Sequence, residues 1–382
     1  MKSLVVECKL PTVPSRVDEV EAMAETVGFE VMDSIVQKRN SVHHSFCIGR
    51  GKLEDIKKIV KDQNIEQIIF TNTLPSSQIF KIKKEVGNDI KVIDRNLLIL
   101  ELFRKRAMTR EAKLQIQLAH LKYTFSWGRE FLKLRGLLGE QVGWSGPGDY
   151  PFKEYQKAAR ARISRISGEL EKIENKKELL RSRRHELGYP IVALAGYTQS
   201  GKTTFFNRVT LESKAVGLGP FTTLSTFARK VEFAQSTDRV EFILVDSIGF
   251  IEDMHPIIVN AFNATLEEIA HADLLLIFID VSDELDILER KVASSSQVLR
   301  RIGAGSPAIL CANKIDLVND KQLSEAIEVI QKHFIGLEII RTSAKSGENV
   351  SKLMESVASF LKEKQKTVRL QAPMAYSSAS SN

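Results

Sequence analysis

The chain has 382 residues, 43% apolar and 27% charged, with a net charge of +7. That is enough sequence for two or three cored domains rather than one, and it predicts a soluble globular protein. The longest apolar run, Leu274 to Val281, is broken by Asp280 and falls far short of the roughly 20 residues that cross a bilayer. The first residues lack the charged-then-apolar order of a secretory signal, so a cytoplasmic location without membrane insertion is expected. Cys8, Cys47 and Cys311 stand far apart in apolar, strand-like surroundings, which predicts core thiols and excludes a disulfide framework or a metal knuckle.

Residues 1–95 alternate short apolar runs with amphipathic stretches. "SLVVECKL" (3–10) and "QIIF" (67–70) read as strands, whereas "RVDEVEAMAETV" (16–27), "GKLEDIKKIVKDQ" (51–63) and "SSQIFKIKKEVG" (76–87) read as helices. Strands alternating with helices predict a small parallel α/β domain. "IGRGKLEDI" (48–56) precedes a helix, where Gly49 and Gly51 serve either an ordinary turn or a weak phosphate site.

From Leu98 to Tyr123 the pattern predicts one helix with Ala107, Leu114, Leu118 and Leu121 on a stripe. A second helix is predicted from Lys153 to His185, with Ile163, Ile166, Leu170, Ile173 and Leu180 at the spacing of a helix-pair seam. The two are expected to pack antiparallel. Between them, "GLLGEQVGWSGPGDYP" (136–151) carries five glycines and two prolines and predicts a mobile loop. Leu98–Pro190 holds 20 Lys and Arg against 11 Asp and Glu, an excess of +9 that leaves the rest of the chain at −2. A basic helical segment in an otherwise neutral protein is the electrostatic outline of a nucleic-acid contact; the competing reading is a solvated helical face. "ELGYP" (186–190) ends the helix and opens a new domain.

"PIVALAG" (190–196) is an unbroken apolar run, as in a strand buried on both faces of a parallel sheet. It delivers "GYTQSGKTTF" (196–205), a Gly-x4-Gly-Lys-Thr phosphate cradle. Here the backbone N–H groups of Gly196, Tyr197, Thr198, Gln199, Ser200, Gly201 and Thr204 surround phosphate, Lys202 reaches the β and γ phosphates, and Thr203 offers a hydroxyl to Mg2+. "FILVDSIGF" (242–250) ends a second buried strand in Asp-x-x-Gly. Asp246 is placed to hold Mg2+ through water, Gly249 to offer its N–H to the γ-phosphate, with Ser247 and Ile248 between them.

"PAILCANKID" (307–316) supplies Asn313, Lys314, Ile315 and Asp316. A carboxylate at 316 accepts two N–H bonds from guanine and finds nothing comparable on adenine. Asn313 is expected to brace two loops, and the Lys314 stem to cover the base. "RTSAK" (341–345) completes the pocket with Ser343, Ala344 and Lys345, the Ala344 N–H facing the guanine 6-oxygen. Four motifs in this order, each at a strand end, predict a guanine nucleotide as ligand. For the threonine that closes on the γ-phosphate, "PFTTLSTFARKVEF" (220–233) offers Thr222, Thr223 and Thr226, and spacing does not choose among them.

The run "GYTQSGKTTFFNRVT", "FTTLST", "VDSIGFIEDMHPIIVNAFNATLEEIAHADLLLIFIDVSD" and "NKID", preceded by "REAKLQIQLAHLKY" and "GPGDYPFKEYQKAARARI", closely resembles the HflX family of ribosome-associated GTPases over residues 95–362. The resemblance implies an α/β chain with a small parallel α/β domain (1–95), a basic, long antiparallel helical linker (96–188), a Ras-like P-loop GTPase domain (189–365) and a disordered tail (366–382). It also implies that Thr223, flanked by Phe221, Thr222 and Leu224, is the switch threonine and a Mg2+ ligand. Residues 250–272 become the second switch and its helix. Lys202, Thr223 and Gly249 would then carry the chemistry of GTP hydrolysis to GDP. The implied partner is the large ribosomal subunit and its rRNA, in ribosome rescue, splitting or stress response, with Arg160, Arg162 and Arg165 as contact candidates and the protein a monomer.

The chain also departs from the family. Asp149 keeps an acid, but Gln156 and Lys157 replace paired arginines, and Gln199 replaces an asparagine. Phe250 stands where many regulatory GTPases carry a water-orienting glutamine, so slow intrinsic hydrolysis raised by a partner is expected, with Phe250 itself a core anchor. Two other classes remain open at this point: an ATP-using P-loop enzyme, which Asp316 opposes, and a nucleotide-gated RNA-binding module with incidental hydrolysis. Asp316→Asn is expected to move nucleotide preference from guanine toward xanthine in a competition assay; a variant that still chooses guanine would place the base pocket elsewhere.

Overall fold

A computed structural model of the chain describes residues 1–125, 127, 149–186, 189–211, 227–235, 238–247, 249–250, 255–261, 266 and 269–371. The fold divides into two compact units. In the first, β1 (Lys2–Lys9) has six consecutive buried residues, the mark of a central strand covered on both faces. Strands β2 (Glu30–Lys38), β3 (Gln67–Phe70) and β4 (Lys91–Asp94) join it in the order β2-β1-β3-β4, all parallel. The crossovers contain α1 (Val17–Val27), α2 (Arg50–Asp62) and α3 (Ser76–Val86). Leu4, Val6, Ile35, Leu53, Ile56, Ile68, Phe70 and Ile82 form the core between sheet and helices.

Helix α4 (Arg95–Arg106) continues this layer. Its first turn is capped by Asp94, which accepts from the Leu97 N–H at 2.9 Å, and Leu97–Leu100, Leu102 and Phe103 are buried where the helix packs on α1 and β4. The single helix expected over 98–123 is two helices. Ala107 leaves the helical region at ψ 104°, and Thr109 caps α5 (Arg110–Thr124) by accepting from the Ala112 N–H at 3.2 Å. A capping hydroxyl offers the backbone an alternative to continuing a helix. The restart shifts the buried face to Ala112, Gln115, Ile116, Leu118, Ala119 and Tyr123, so Ala107, Leu114 and Leu121 do not share the predicted stripe.

Helix α6 (Asp149–Glu186) begins four residues before the expected Lys153, taking the last three residues of the predicted glycine-rich loop into its first turn; the rest of that loop lies outside the described residues. Arg110 pairs with Glu169 at 2.8 Å and Lys177 with Glu111 at 2.8 Å, tying the start of α5 to α6. The first of these is an exposed pair that stabilises little; the second is part-buried. Among the described side chains of α6, Ala159 and Ile166 are buried; Leu180 of the predicted seam lies outside them. The first unit also includes α8 (Pro256–Ala261), which packs against α5, with the His255 ring edge-on to Tyr123 at 5.1 Å.

Tyr123 belongs to a buried polar cluster. The Asp94 carboxylate accepts from the Tyr123 hydroxyl at 2.5 Å, the Leu74 N–H at 3.2 Å and the Leu97 N–H at 2.9 Å. Asn96 donates to the Tyr123 oxygen and to Thr73, each at 3.2 Å. Burial raises the Asp94 pKa against these bonds, and burial followed by the Asp94 charge raises that of Tyr123.

In the second unit six strands run in the order β10-β9-β8-β5-β7-β6: β5 (Ile191–Gly196), β6 (Phe227–Gln235), β7 (Asp238–Asp246), β8 (Leu274–Asp280), β9 (Ala308–Asn313) and β10 (Glu338–Thr342). All neighbours are parallel except the β6–β7 pair. Helices α7 (Lys202–Thr210), α9 (Leu285–Arg301), α10 (Asp320–His333) and α11 (Val350–Gln371) complete the α/β layers. Leu194, Phe205, Phe206, Leu276, Phe278, Cys311 and Leu353 fill the core.

The first six residues of the expected disordered tail, 366–371, are helical, because nothing stops α11 before Pro373; residues 372–382 lie outside the described residues. The three cysteines are free and buried, and burial pushes the Cys47 thiol up to about 12. Among the described residues no helix is long and apolar enough to cross a membrane. Tyr123→Phe removes a donor from a fully buried carboxylate and is expected to cost about 1–3 kcal/mol, read as a lower midpoint in chemical unfolding. An unchanged midpoint would mean that this hydroxyl does not hold Asp94.

Candidate nucleotide site

The apolar residues of β5 fix its end inside the sheet, so the loop that follows is presented at the carboxyl edge of the strands, where open α/β sheets bind ligands. Gly196–Gly201 forms the loop and Lys202 opens α7. Gln199 and Gly201 both adopt left-handed conformations, at φ 62° and 97°. At Gly201 a Cβ would lie 2.1 Å from the Asn313 Nδ2, so a side chain there is excluded by φ and by space alike.

The Lys202 ammonium folds back over the loop and donates to the Gly196 carbonyl at 3.0 Å, the Tyr197 carbonyl at 2.6 Å and the Ser200 hydroxyl at 3.4 Å. Its complete burial pushes its pKa down to about 8, against the opposing effect of Asp246. The Thr203 hydroxyl donates to Asp246 Oδ2 at 3.1 Å, so the two residues predicted to share Mg2+ meet at the ends of α7 and β7. Hydroxyl and carboxylate oxygens are the hard donors that Mg2+ takes, with water completing its shell. Ser247, also buried, donates to the Leu194 carbonyl at 2.5 Å.

The Asp-x-x-Gly segment lies directly on the loop. The Thr198 N–H donates to the Phe250 carbonyl and the Phe250 N–H to the Gly196 carbonyl, both at 3.0 Å. This approach depends on Gly249, where a Cβ would sit 2.8 Å from the Thr198 Cα. Phe250 is 1% exposed, which makes its ring a core anchor.

On the base side, Asn313 is 2% exposed. Its Nδ2 donates to the Ser200 carbonyl at 2.7 Å, while its Oδ1 accepts from the Ala344 N–H at 2.9 Å and the Thr342 hydroxyl at 3.4 Å. The expected bracing role thus has a geometry. The Ala344 N–H, expected at a guanine oxygen, is engaged by Asn313 here, as a buried donor needs an acceptor. Lys314, at φ 70°, reaches across to pair with Asp280, whose Oδ1 also accepts from the Ser282 N–H and hydroxyl. Ile315 and Asp316 lie in a short 3-10 turn, Asp316 exposed. Ser343 is buried and Lys345 exposed.

Phe221, Thr222, Thr223, Leu224, Thr226 and Ile248 lie outside the described residues. Arg160, Arg162 and Arg165 are exposed on α6, in the first unit. Gly49 donates its N–H to Gln37 at 2.7 Å where it begins α2, as an ordinary turn residue does. Sequence reading passed over Lys291, which pairs with Asp283 at 2.7 Å and lies 5.4 Å from the centre of the Tyr197 ring. An isolated helical lysine carries no signal that it will meet the cradle.

Residues 14–104 match a family described as GTP-binding GTPase N-terminal, 106–184 its middle region, and 191–314 a family described as 50S ribosome-binding GTPase. Among curated proteins, the GTPase HflX of Thermococcus kodakarensis is 37% identical over 345 residues, covering 89% of this chain and 76% of that one. The GTPase HflX of Escherichia coli is 33% identical over 304 residues, covering 79% and 70%. Among solved structures, a GTP-binding protein from Sulfolobus solfataricus in complex with GDP aligns at a TM-score of 0.50 and 26% identity, over 95% of this chain and 100% of that one.

Phosphate oxygens beside Lys202 would raise its pKa above the value near 8 that it has without them. Below that pH the lysine is already protonated and its contribution to binding is complete; above it, binding must take up a proton. GDP affinity is therefore expected to hold up to about pH 8 and then fall by up to about tenfold per pH unit, with proton uptake visible in the buffer dependence of the calorimetric enthalpy. Affinity that stays flat to about pH 9.5 would contradict the assignment of Lys202.

Proposed function

The chain belongs to the HflX family of GTPases, which bind and hydrolyse GTP, and from that premise we propose that it is a Mg2+-dependent conformational timer on the large ribosomal subunit. The observation that carries this reading is the convergence of Lys202, the Thr203–Asp246 pair and the Asn313–Ala344 pair at neighbouring strand ends. Mg2+ would be held by Thr203 and, through water, by Asp246, with Thr223 added in the GTP state; the ion would neutralise charge developing on the phosphates. Asp316 would select guanine, and Lys202 would bind the β and γ phosphates. Since the Phe250 ring is buried in the core, no side chain at that position orients the attacking water, which supports slow turnover without a partner.

The ribosomal half of the proposal rests on the family description matched by residues 191–314 and on exposed, cationic α6. Arg160, Arg162 and Arg165 would meet rRNA phosphates with an affinity that falls as salt rises. Within the first unit, α8 and His255 pack on α5. A cytoplasmic monomer acting in ribosome rescue or splitting is the form this takes.

Cosedimentation with large subunits is expected to be stronger with a non-hydrolysable GTP analogue than with GDP, and to weaken when the three arginines are replaced by glutamine. Single-turnover GTP hydrolysis should rise when large subunits are added. Equal binding in both nucleotide states, unaffected by the arginine replacements, would overturn the timer; equal rates with and without subunits would remove partner activation.

A further inference from the structure

Arg208, on α7, lies outside the four nucleotide motifs, yet it holds the loop that follows β10. Its Nε donates to the Ala344 carbonyl at 2.8 Å and its Nη2 to the Lys345 carbonyl at 2.5 Å. Two donors of one planar group onto two successive carbonyls is a geometry that guanidinium supplies and an ammonium does not. Gly347, at φ 94°, leaves room for it; a Cβ there would stand 2.7 Å from the Arg208 Nη1.

The turn itself has other supports. The Gly347 N–H donates to the Ser343 carbonyl at 2.8 Å, the Ser343 N–H to the Glu348 carbonyl at 3.1 Å, and the Ser346 N–H to the Ser343 hydroxyl at 3.0 Å. Arg208 is exposed on its outer side, where a substitution disturbs the core little. What its bonds add is the placement of residues 344–345 against the helix that starts at Lys202.

The Ala344 N–H is held by Asn313 Oδ1 at 2.9 Å. A purine 6-oxygen would take or share that donor, and the two bonds from Arg208, being on the carbonyl side, would not compete with it. We infer that Arg208 is a positioning residue for guanine recognition, holding Ala344 through its carbonyl so that its N–H meets the 6-oxygen of the base. The inference rests on the reading of Asn313–Asp316 and Ser343–Lys345 as the base pocket. It adds a direct tie between the phosphate helix and the base loop.

The test uses the full chain and two ligands, GDP and the diphosphate of 2-aminopurine riboside, which lacks both the 6-oxygen and the N1 hydrogen of guanine; the loss at N1 is the same for the unaltered protein and its variants, so the comparison between them reads the 6-oxygen contact. Arg208→Ala is expected to weaken GDP by about 5- to 20-fold, the worth of one or two hydrogen bonds, and to leave the analogue unchanged. The preference for the 6-oxygen then falls by the same factor. Arg208→Lys should recover part of it. Equal weakening of both ligands, as a purely structural residue would give, overturns the inference, and so does unchanged GDP affinity. If the unaltered protein binds the two ligands alike, the base pocket itself is misplaced, and the inference falls with it.

Discussion

The site depends on one buried amide. Asn313 joins two loops that come from distant parts of the sequence: its nitrogen holds the phosphate loop at Ser200, and its oxygen holds the β10 end at Thr342 and Ala344. It is carried there by β9, which lies between β8 and β10. Gly201 is the complement of that contact, because any side chain at 201 would occupy the place of the amide nitrogen. An amide suits the role since it offers donor and acceptor together and brings no charge into a buried place. A carboxylate there would lose the donor to Ser200 and bring a charge into the same buried space.

Around this bridge the electrostatics are set by burial. Lys202 is kept out of water, and its ammonium leans on carbonyls of its own loop. Its lowered pKa records the cost of that desolvation. Phosphate oxygens beside it would replace neutral acceptors with anionic ones in a low-dielectric setting, where the attraction is far stronger than at the surface. The same closeness governs the neighbouring segment: Phe250 is bound to Thr198 and Gly196 by backbone hydrogen bonds at 3.0 Å, and Gly249 leaves no room for a side chain against Thr198.

Much of the nucleotide domain was legible because its motifs are backbone requirements written as residue types. Gly196–Thr203, Asp246–Gly249, Asn313–Asp316 and Ser343–Lys345 sit at strand ends, and the apolar runs before them could be read without ambiguity. The 67–70 strand was legible for the same reason. Strand β2 was not, since only Ile35 among its nine residues is buried, and an edge strand with one covered residue has no alternating signature. The split between α4 and α5 was hidden because Arg104–Arg110 contains no proline or glycine; the break comes from a hydroxyl cap at Thr109. The partners Asp280, Lys291 and Arg208 were illegible in a different way. Each is a lone charged residue, and only the packing of α7, α9 and β8 decides what it meets. Asp280 alone left a trace, as a charge interrupting an apolar run.

If one amide knits the phosphate loop to the base loop, removing it should loosen both together. Amide hydrogen exchange in the nucleotide-free protein, compared between the unaltered chain and Asn313→Ala, reads this directly. Faster exchange in 197–203 and in 343–349, with β5 and β8 unchanged, is the predicted result. Faster exchange confined to one of the two loops, or to neither, would contradict the account.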